Sequence, residues 1–281
     1  MSHYLAGHPE IFMSEQAGNK EPGYFAPENP SYTQIKSAEE YFGLFNKAPS
    51  NAKYIGEASV NYLRSKVAVK RILEVSPEAK FIVMVRNPIE IARSRHGQLV
   101  KLALEPELDF EKAWRLQEFR QAESSRLPLT GLGLSHGYQY GEVSKIGAHL
   151  ERVMNDVPVC NLHIIVFDDF AKDPSKSYAG VLKFLRLKSD NQRIFQTVNP
   201  GLRYRSELLQ KVILRLGLLR DRLRIPRGLG IHKIINRFNA RPGSKPLKPL
   251  FHAELLQFFV DDIQKISRLL DRDLTKWTEN N

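Results

Sequence analysis

Lys80-Phe81-Ile82-Val83-Met84-Val85-Arg86-Asn87-Pro88 is the stretch on which the fold turns. Five consecutive apolar, mostly β-favouring residues at 81–85 read as a buried parallel strand rather than a half-exposed one, because nothing alternates. Arg86 then stands at the strand's carboxyl end. Asn87 has the chemistry of a helix N-cap, Pro88 suits the first helical position and Glu90 the third. A helix is therefore expected from Ile89 to about Leu104. Working outward, Leu162 to Phe167 repeats the pattern of a buried strand, and Asp173-Pro174 caps a helix ending near Leu185. Lys53 to Gly56 reads as a shorter strand, with helix in the 66–75 region. Strands alternating with helices predict an α/β fold: a three-layer sandwich with a central parallel sheet.

Three further helical segments follow from spacing. Asp109 caps one whose inward residues are Phe110, Ala113, Trp114 and Leu116. Ile146 to Met154 puts Leu150 and Val153 on one face. Leu255, Phe258, Phe259, Ile263, Ile266 and Leu270 recur at helical intervals in 251–271. Arg241-Pro242-Gly243-Ser244-Lys245-Pro246 is the best linker candidate.

Composition narrows the class. The 281 residues suit one α/β domain, and 42% hydrophobic with 26% charged residues describes a globular chain. No apolar run reaches the roughly 18 residues that would span a bilayer. The opening residues show no basic start followed by an apolar stretch, so no signal peptide is read. A single cysteine, Cys160, excludes an internal disulfide and a cysteine-rich metal site, and a reducing cytoplasm is the simplest expected location. The formal charge of +11 favours anionic partners. Residues 202–248 carry thirteen Lys or Arg against Glu207 and Asp221, so this segment holds the whole net charge.

Arg86 at a strand end, followed by the free N–H groups and positive dipole of a helix N-terminus, with the Ser94 hydroxyl two turns further on, is a set of groups that can hold a phosphate. Taken singly, an arginine at a strand end is more often a surface charge, and a serine in a helix is usually unremarkable. The run from Lys80 to Ser94, KFIVMVRNPIEIARS, resembles the element with which sulfotransferases bind the 3′-phosphate of PAPS (3′-phosphoadenosine 5′-phosphosulfate). HPEIFMS at 8–14, KEPGYF at 20–25, KYIGEASVNYL at 53–63, DFEKAWRLQEFR at 109–120, IIVFDDFAKDP at 164–174, VLKFLRL at 181–187, VNPGLRYRS at 198–206 and DRDLTKW at 271–277 follow in that family's order. The resemblance covers nearly the whole chain and is to the carbohydrate or heparan type. It implies a P-loop NTPase-like sulfotransferase fold and transfer of a sulfuryl group from PAPS, a co-substrate, to a hydroxyl or amine, with no metal. By analogy with the family the acceptor is a carbohydrate or glycolipid.

The same resemblance gives Arg86 and Ser94 to the 3′-phosphate and Glu21 to the acceptor's proton, as general base. Where relatives often carry a histidine two residues after that glutamate, this chain has Gly23. Arg205 is placed near the cofactor or acceptor, with a solvated surface role as the alternative. Glu57, with Ser59 and Tyr62, matches a segment near the cofactor and its role stays open. Asp168, Asp169 and Asp173 are read as a strand-end turn and a helix cap rather than metal ligands. The eight histidines show no HExxH-type ligand spacing, and no GxxxxGK[ST] phosphate loop occurs.

Family members open with a strand, then a loop resembling KxGTTSL that grips the 5′-phosphosulfate, then a helix leading into the HPEIF-like segment. Met1 to Leu5 align inside that helix. The first strand and the loop are thus expected to lie outside 1–281, leaving one N-terminally truncated domain with no residue assigned to the catalytic lysine. Either the native chain is longer, or it is a fragment. The rival function is accordingly a catalytically inactive homologue that at most binds nucleotide or an anionic membrane surface. In the basic segment, Leu208, Leu209, Val212, Ile213, Leu216, Leu219 and Leu223 fall on one helical face flanked by Lys211, Arg215, Arg220, Arg222 and Arg224. That is a helix packed on the domain, or an interfacial helix meeting anionic lipid. Nucleic acid is not expected, since stacking aromatics are not interleaved.

Overall fold

The computed structural model describes residues 1–28, 35–102, 104–122, 138–190, 195, 202–204, 206, 209, 212, 240–243 and 245–279. In chain order the elements begin α1 (Ser2–Leu5), β1 (Ile11–Met13), α2 (Ala38–Gly43), β2 (Tyr54–Gly56), α3 (Ala68–Val75) and β3 (Phe81–Val85). Next come α4 (Pro88–Lys101), α5 (Phe110–Arg115), α6 (Gln117–Ala122), α7 (Tyr140–Ser144) and α8 (Gly147–Asp156). The chain continues through β4 (Leu162–Val166), α9 (Phe167–Lys172), α10 (Pro174–Phe184), β5 (Leu202–Tyr204), β6 (Ala240–Pro242) and α11 (Pro249–Leu269). Two compact units result: Met1–Arg86 with Ile146–Gln196, and Asn87–Lys145 with Thr197–Asn281.

The first unit holds the parallel strands expected from sequence. β3 pairs with β4 in register from Phe81 opposite Leu162 to Val85 opposite Val166, and β1 pairs with β2 from Ile11 opposite Tyr54 to Met13 opposite Gly56. Among the described residues these are two separate two-stranded sheets. Side chains alternate across β3 as the pleat requires. Ile82 and Met84, with Ile165 of β4, pack toward Tyr4 and Leu5 of α1 and Tyr178, Val181 and Leu182 of α10. Phe81, Val83 and Leu162 pack on the opposite side against Val69 of α3 and Val153 and Val157. Helices therefore cover both faces, which is the three-layer arrangement. Full burial is reached only at Val85; Phe81 to Met84 are half-buried, because among the described residues β3 has a hydrogen-bonded neighbour on one edge alone.

The second unit is mainly helical. α4 packs against α7 and α11, with Leu99 and Val100, Tyr140, and Leu255, Phe259, Ile263 and Ile266 all buried. Trp114 meets Phe251, Phe258 and Phe259 edge-on or tilted at centroid distances of 5.2–6.3 Å, a favoured aromatic geometry. Two sequence expectations need correcting here. Leu116 is 36% exposed, since the helix expected to run through it breaks between α5 and α6 and turns that position out of the stripe. The linker proposed at 241–246 also has a different beginning: Arg241 and Pro242 lie in β6, antiparallel to β5, with Arg203 opposite Arg241.

Candidate functional site

Arg86 is held by two adjacent strand ends. The parallel register that matches Val85 with Val166 brings the following residues, Arg86 and Phe167, side by side. The Arg86 guanidinium carbon lies 4.5 Å from the centroid of the Phe167 ring, within cation–π range. Phe167 opens α9, and its ring is 6.0 Å from that of Phe170, which in turn lies 5.9 Å from Tyr4 in the core.

Asn87 caps α4 as its side chain predicts: Oδ1 accepts from the Ile89 N–H at 2.9 Å, with Pro88 at the first helical position. The side-chain amide donates to the Trp277 carbonyl at 3.1 Å, so the cap is fixed from both ends. Ser94 is exposed on α4. Arg86 closes the first unit and Ser94 belongs to the second. Asp173, the other predicted cap, accepts from the Lys176 N–H at 2.9 Å.

Glu21 is half-buried in a turn that the first unit clamps at several points. The Lys20 carbonyl accepts from the Ala58 N–H at 3.3 Å, and the Gly23 N–H donates to Ser59 Oγ at 2.9 Å. Two residues on, the Phe25 N–H donates to the Tyr62 hydroxyl at 3.1 Å, and the Phe25 ring is buried among Tyr41, Tyr62 and Ala68. Gly23 has φ of +70°, a backbone region that disfavours any side chain with a β-carbon.

Both clamping hydroxyls are themselves held by Glu57, whose role the sequence left open. The Tyr62 hydroxyl donates to Glu57 Oε1 at 2.6 Å, Tyr41 donates to the same oxygen at 3.1 Å, and Ser59 donates to Oε2. Burial pushes the Glu57 carboxyl above the ordinary carboxylate range, against the pull of the three hydroxyls. The Tyr41 and Tyr62 hydroxyls are pushed up in turn, by burial first and by the Glu57 charge second. Ser59, Tyr62 and the Lys20–Phe25 turn are thus tied to one half-buried carboxylate. Tyr41 had no signal in the sequence, being sixteen residues from its partner.

Arg205 lies outside the described residues, as does most of the 206–224 basic stretch; Leu209 and Val212, the described members of its apolar stripe, are exposed. Among the described residues there is no group of three or more His, Cys, Asp or Glu placed to hold a metal ion, and no helix is long and apolar enough to cross a membrane.

Parallel strands covered by helices on both faces, with an arginine at the carboxyl end of one strand, define an α/β protein. Residues 10–191, more than half the chain, match the model of the sulfotransferase family, and the chain belongs to that family. The crystal structure of a sulfotransferase from Alicyclobacillus acidocaldarius has the same fold: TM-score 0.69 at 22% identity, covering 99% of this chain and 92% of that one. The sulfotransferase domain from the curacin biosynthetic pathway is a fainter likeness, with TM-score 0.40 at 15% identity over 66% of this chain and 69% of that one. No curated protein matches the chain.

Proposed function

We propose that this member of the sulfotransferase family transfers the sulfuryl group of PAPS to a hydroxyl or amine of a carbohydrate or glycolipid acceptor. The observation that carries the reading is Arg86: a guanidinium at the carboxyl end of β3, where open α/β sheets bind their ligands, followed directly in the chain by the capped start of α4. Arg86 and Ser94 are assigned to the 3′-phosphate, and Arg205 to the nucleotide or acceptor. Glu21 takes the acceptor's proton, the acceptor oxygen or nitrogen forms its bond to sulfur, and the bond from sulfur to the 5′-phosphate oxygen breaks, releasing adenosine 3′,5′-bisphosphate. The clamped turn supports the base role, since general-base catalysis needs a carboxylate held in one place. No residue of 1–281 is assigned to the lysine that steadies the leaving phosphate. Contact of the basic 202–248 segment with anionic lipid would bring the protein to a glycolipid's surface, and the cytoplasm is its proposed compartment.

The test is incubation with ³⁵S-labelled PAPS and a panel of oligosaccharide and glycolipid acceptors. The parent protein is expected to label an acceptor, and Glu21→Gln to lose at least a hundredfold in rate, as removal of a general base does, while binding adenosine 3′,5′-bisphosphate like the parent. Nucleotide binding with no transfer to any acceptor would instead establish the inactive homologue, and transfer undiminished in Glu21→Gln would remove Glu21 from the chemistry.

A further inference from the structure

The ring of Phe167 has no part in the function proposed above, yet it occupies a particular place. The β3–β4 register puts it beside Arg86, and the guanidinium carbon stands 4.5 Å from its centroid. Phe167 is not a loose surface ring. It starts α9 directly from the end of β4, and contacts Phe170, which packs in the core cluster with Tyr4 and Tyr178. A guanidinium lying over a ring uses its face for that contact, while its N–H donors radiate in its own plane. Phosphate is bound through those in-plane donors, two at a time. Stacking therefore fixes the plane of the fork without consuming the donors that an anion needs. An ammonium has no such plane, and an aliphatic neighbour offers no quadrupole to hold one.

We propose that Phe167 is a positioning residue that orients the Arg86 fork, and so sets how strongly the protein prefers adenosine nucleotides that carry a 3′-phosphate over those with a 3′-hydroxyl. The inference rests on the assignment of Arg86 to the 3′-phosphate, and the test separates the two.

Binding of adenosine 3′,5′-bisphosphate and of adenosine 5′-monophosphate is measured by isothermal titration, and the ratio of the two Kd values is the readout. A residue that only supports the fold shifts both affinities together; a residue that orients the 3′-phosphate ligand shifts the ratio. In Phe167→Leu the ratio is expected to fall by about three- to tenfold, the range of a cation–π contact, through loss of bisphosphate affinity alone. Phe167→Tyr, which keeps the ring, should stay within about twofold of the parent, since tyrosine offers the guanidinium a comparable face. If Phe167→Leu does not fold, as judged by its thermal transition, Phe167→Met supplies unbranched apolar bulk without a ring. An unchanged ratio in the ring-less variant, with Arg86→Ala still collapsing it, overturns the inference and leaves the Arg86 assignment standing. An unchanged ratio in Arg86→Ala, or a parent protein that binds no bisphosphate, overturns the assignment and the inference with it.

Discussion

Replacing Glu57 by alanine removes the acceptor for three hydroxyl groups, those of Tyr41, Ser59 and Tyr62. Hydrogen bonds to a charged group contribute about 1.5–3 kcal/mol each. The full sum is not realised, because burial already penalises the Glu57 charge, as its raised pKa shows, and truncation relieves that penalty. Ser59 and Tyr62 also keep one partner each, the Gly23 and Phe25 N–H groups. A net loss of about 2–4 kcal/mol follows from these opposing effects. With a urea m-value near 3 kcal/mol/M, that is a midpoint shift of about 1 M at unchanged slope. Glu57→Gln keeps a carbonyl acceptor and should cost about half as much, on the neutral hydrogen-bond scale of roughly 1 kcal/mol. The pH dependence has a definite sign. A carboxyl whose folded pKa lies above its unfolded value binds its proton more tightly when folded, so it favours the folded state at low pH and that contribution is lost as pH rises through the folded pKa. Glutamine does not titrate, so the gap between Glu57→Gln and the parent should narrow as pH is raised across that range. Urea unfolding followed by circular dichroism at several pH values measures both effects. An alanine variant within about 0.5 kcal/mol of the parent, the scale of an ordinary surface substitution, would refute the reasoning.

Glu105 is wholly buried, accepting from both Arg120 amino groups at 2.6 and 2.8 Å and from the Tyr140 hydroxyl. Glu105→Ala should cost about 3–5 kcal/mol because it strands a buried guanidinium, whereas Glu105→Leu combined with Arg120→Met should cost clearly less; equal losses in a denaturation series would contradict this. Asn87→Ala removes the α4 cap and the bond to the Trp277 carbonyl, for an expected loss of about 1–2 kcal/mol and a thermal midpoint lowered by a few degrees.

What the sequence made legible was local. Asn87, Pro88 and Glu90 announce a helix start because a cap satisfies its neighbours' N–H groups within three residues. The mostly apolar runs at 81–85 and 162–167 announce strands because a strand covered by helices on both faces is apolar along most of its length, although Phe167 turns out to open α9. The short strand Ile11–Met13 was not predicted, since three residues are too few to show a period. Leu116 was placed inward by extending one helical stripe past the point where the chain starts a second helix. Pro242-Gly243 was taken for a linker because both residues punctuate, although Pro242 only ends a strand. The site divides in the same way. Arg86 and Ser94 stood out as a strand end and a following helix able to hold a phosphate, but their assignment to the 3′-phosphate, like that of Glu21 to the base, came from resemblance. The carboxylate that clamps the Glu21 turn could not be given that role, because Tyr41 and Gly23 reach Glu57 or Ser59 across sixteen and thirty-six residues. The stacking of Arg86 on Phe167 depends on which strand pairs with β3 and in which register, information that no window of sequence contains.

Nucleotide selectivity tests the account most directly. Titration of the parent, Arg86→Ala and Ser94→Ala proteins with adenosine 3′,5′-bisphosphate and with adenosine 5′-monophosphate isolates the 3′-phosphate. The account predicts that the parent binds the bisphosphate at least tenfold more tightly, and that Arg86→Ala abolishes this preference, since a charge-assisted bond of about 1.5–3 kcal/mol corresponds to a tenfold or larger change. Ser94→Ala should reduce it by several-fold. A parent protein that binds the two nucleotides equally, or an Arg86→Ala protein that retains the preference, would contradict it.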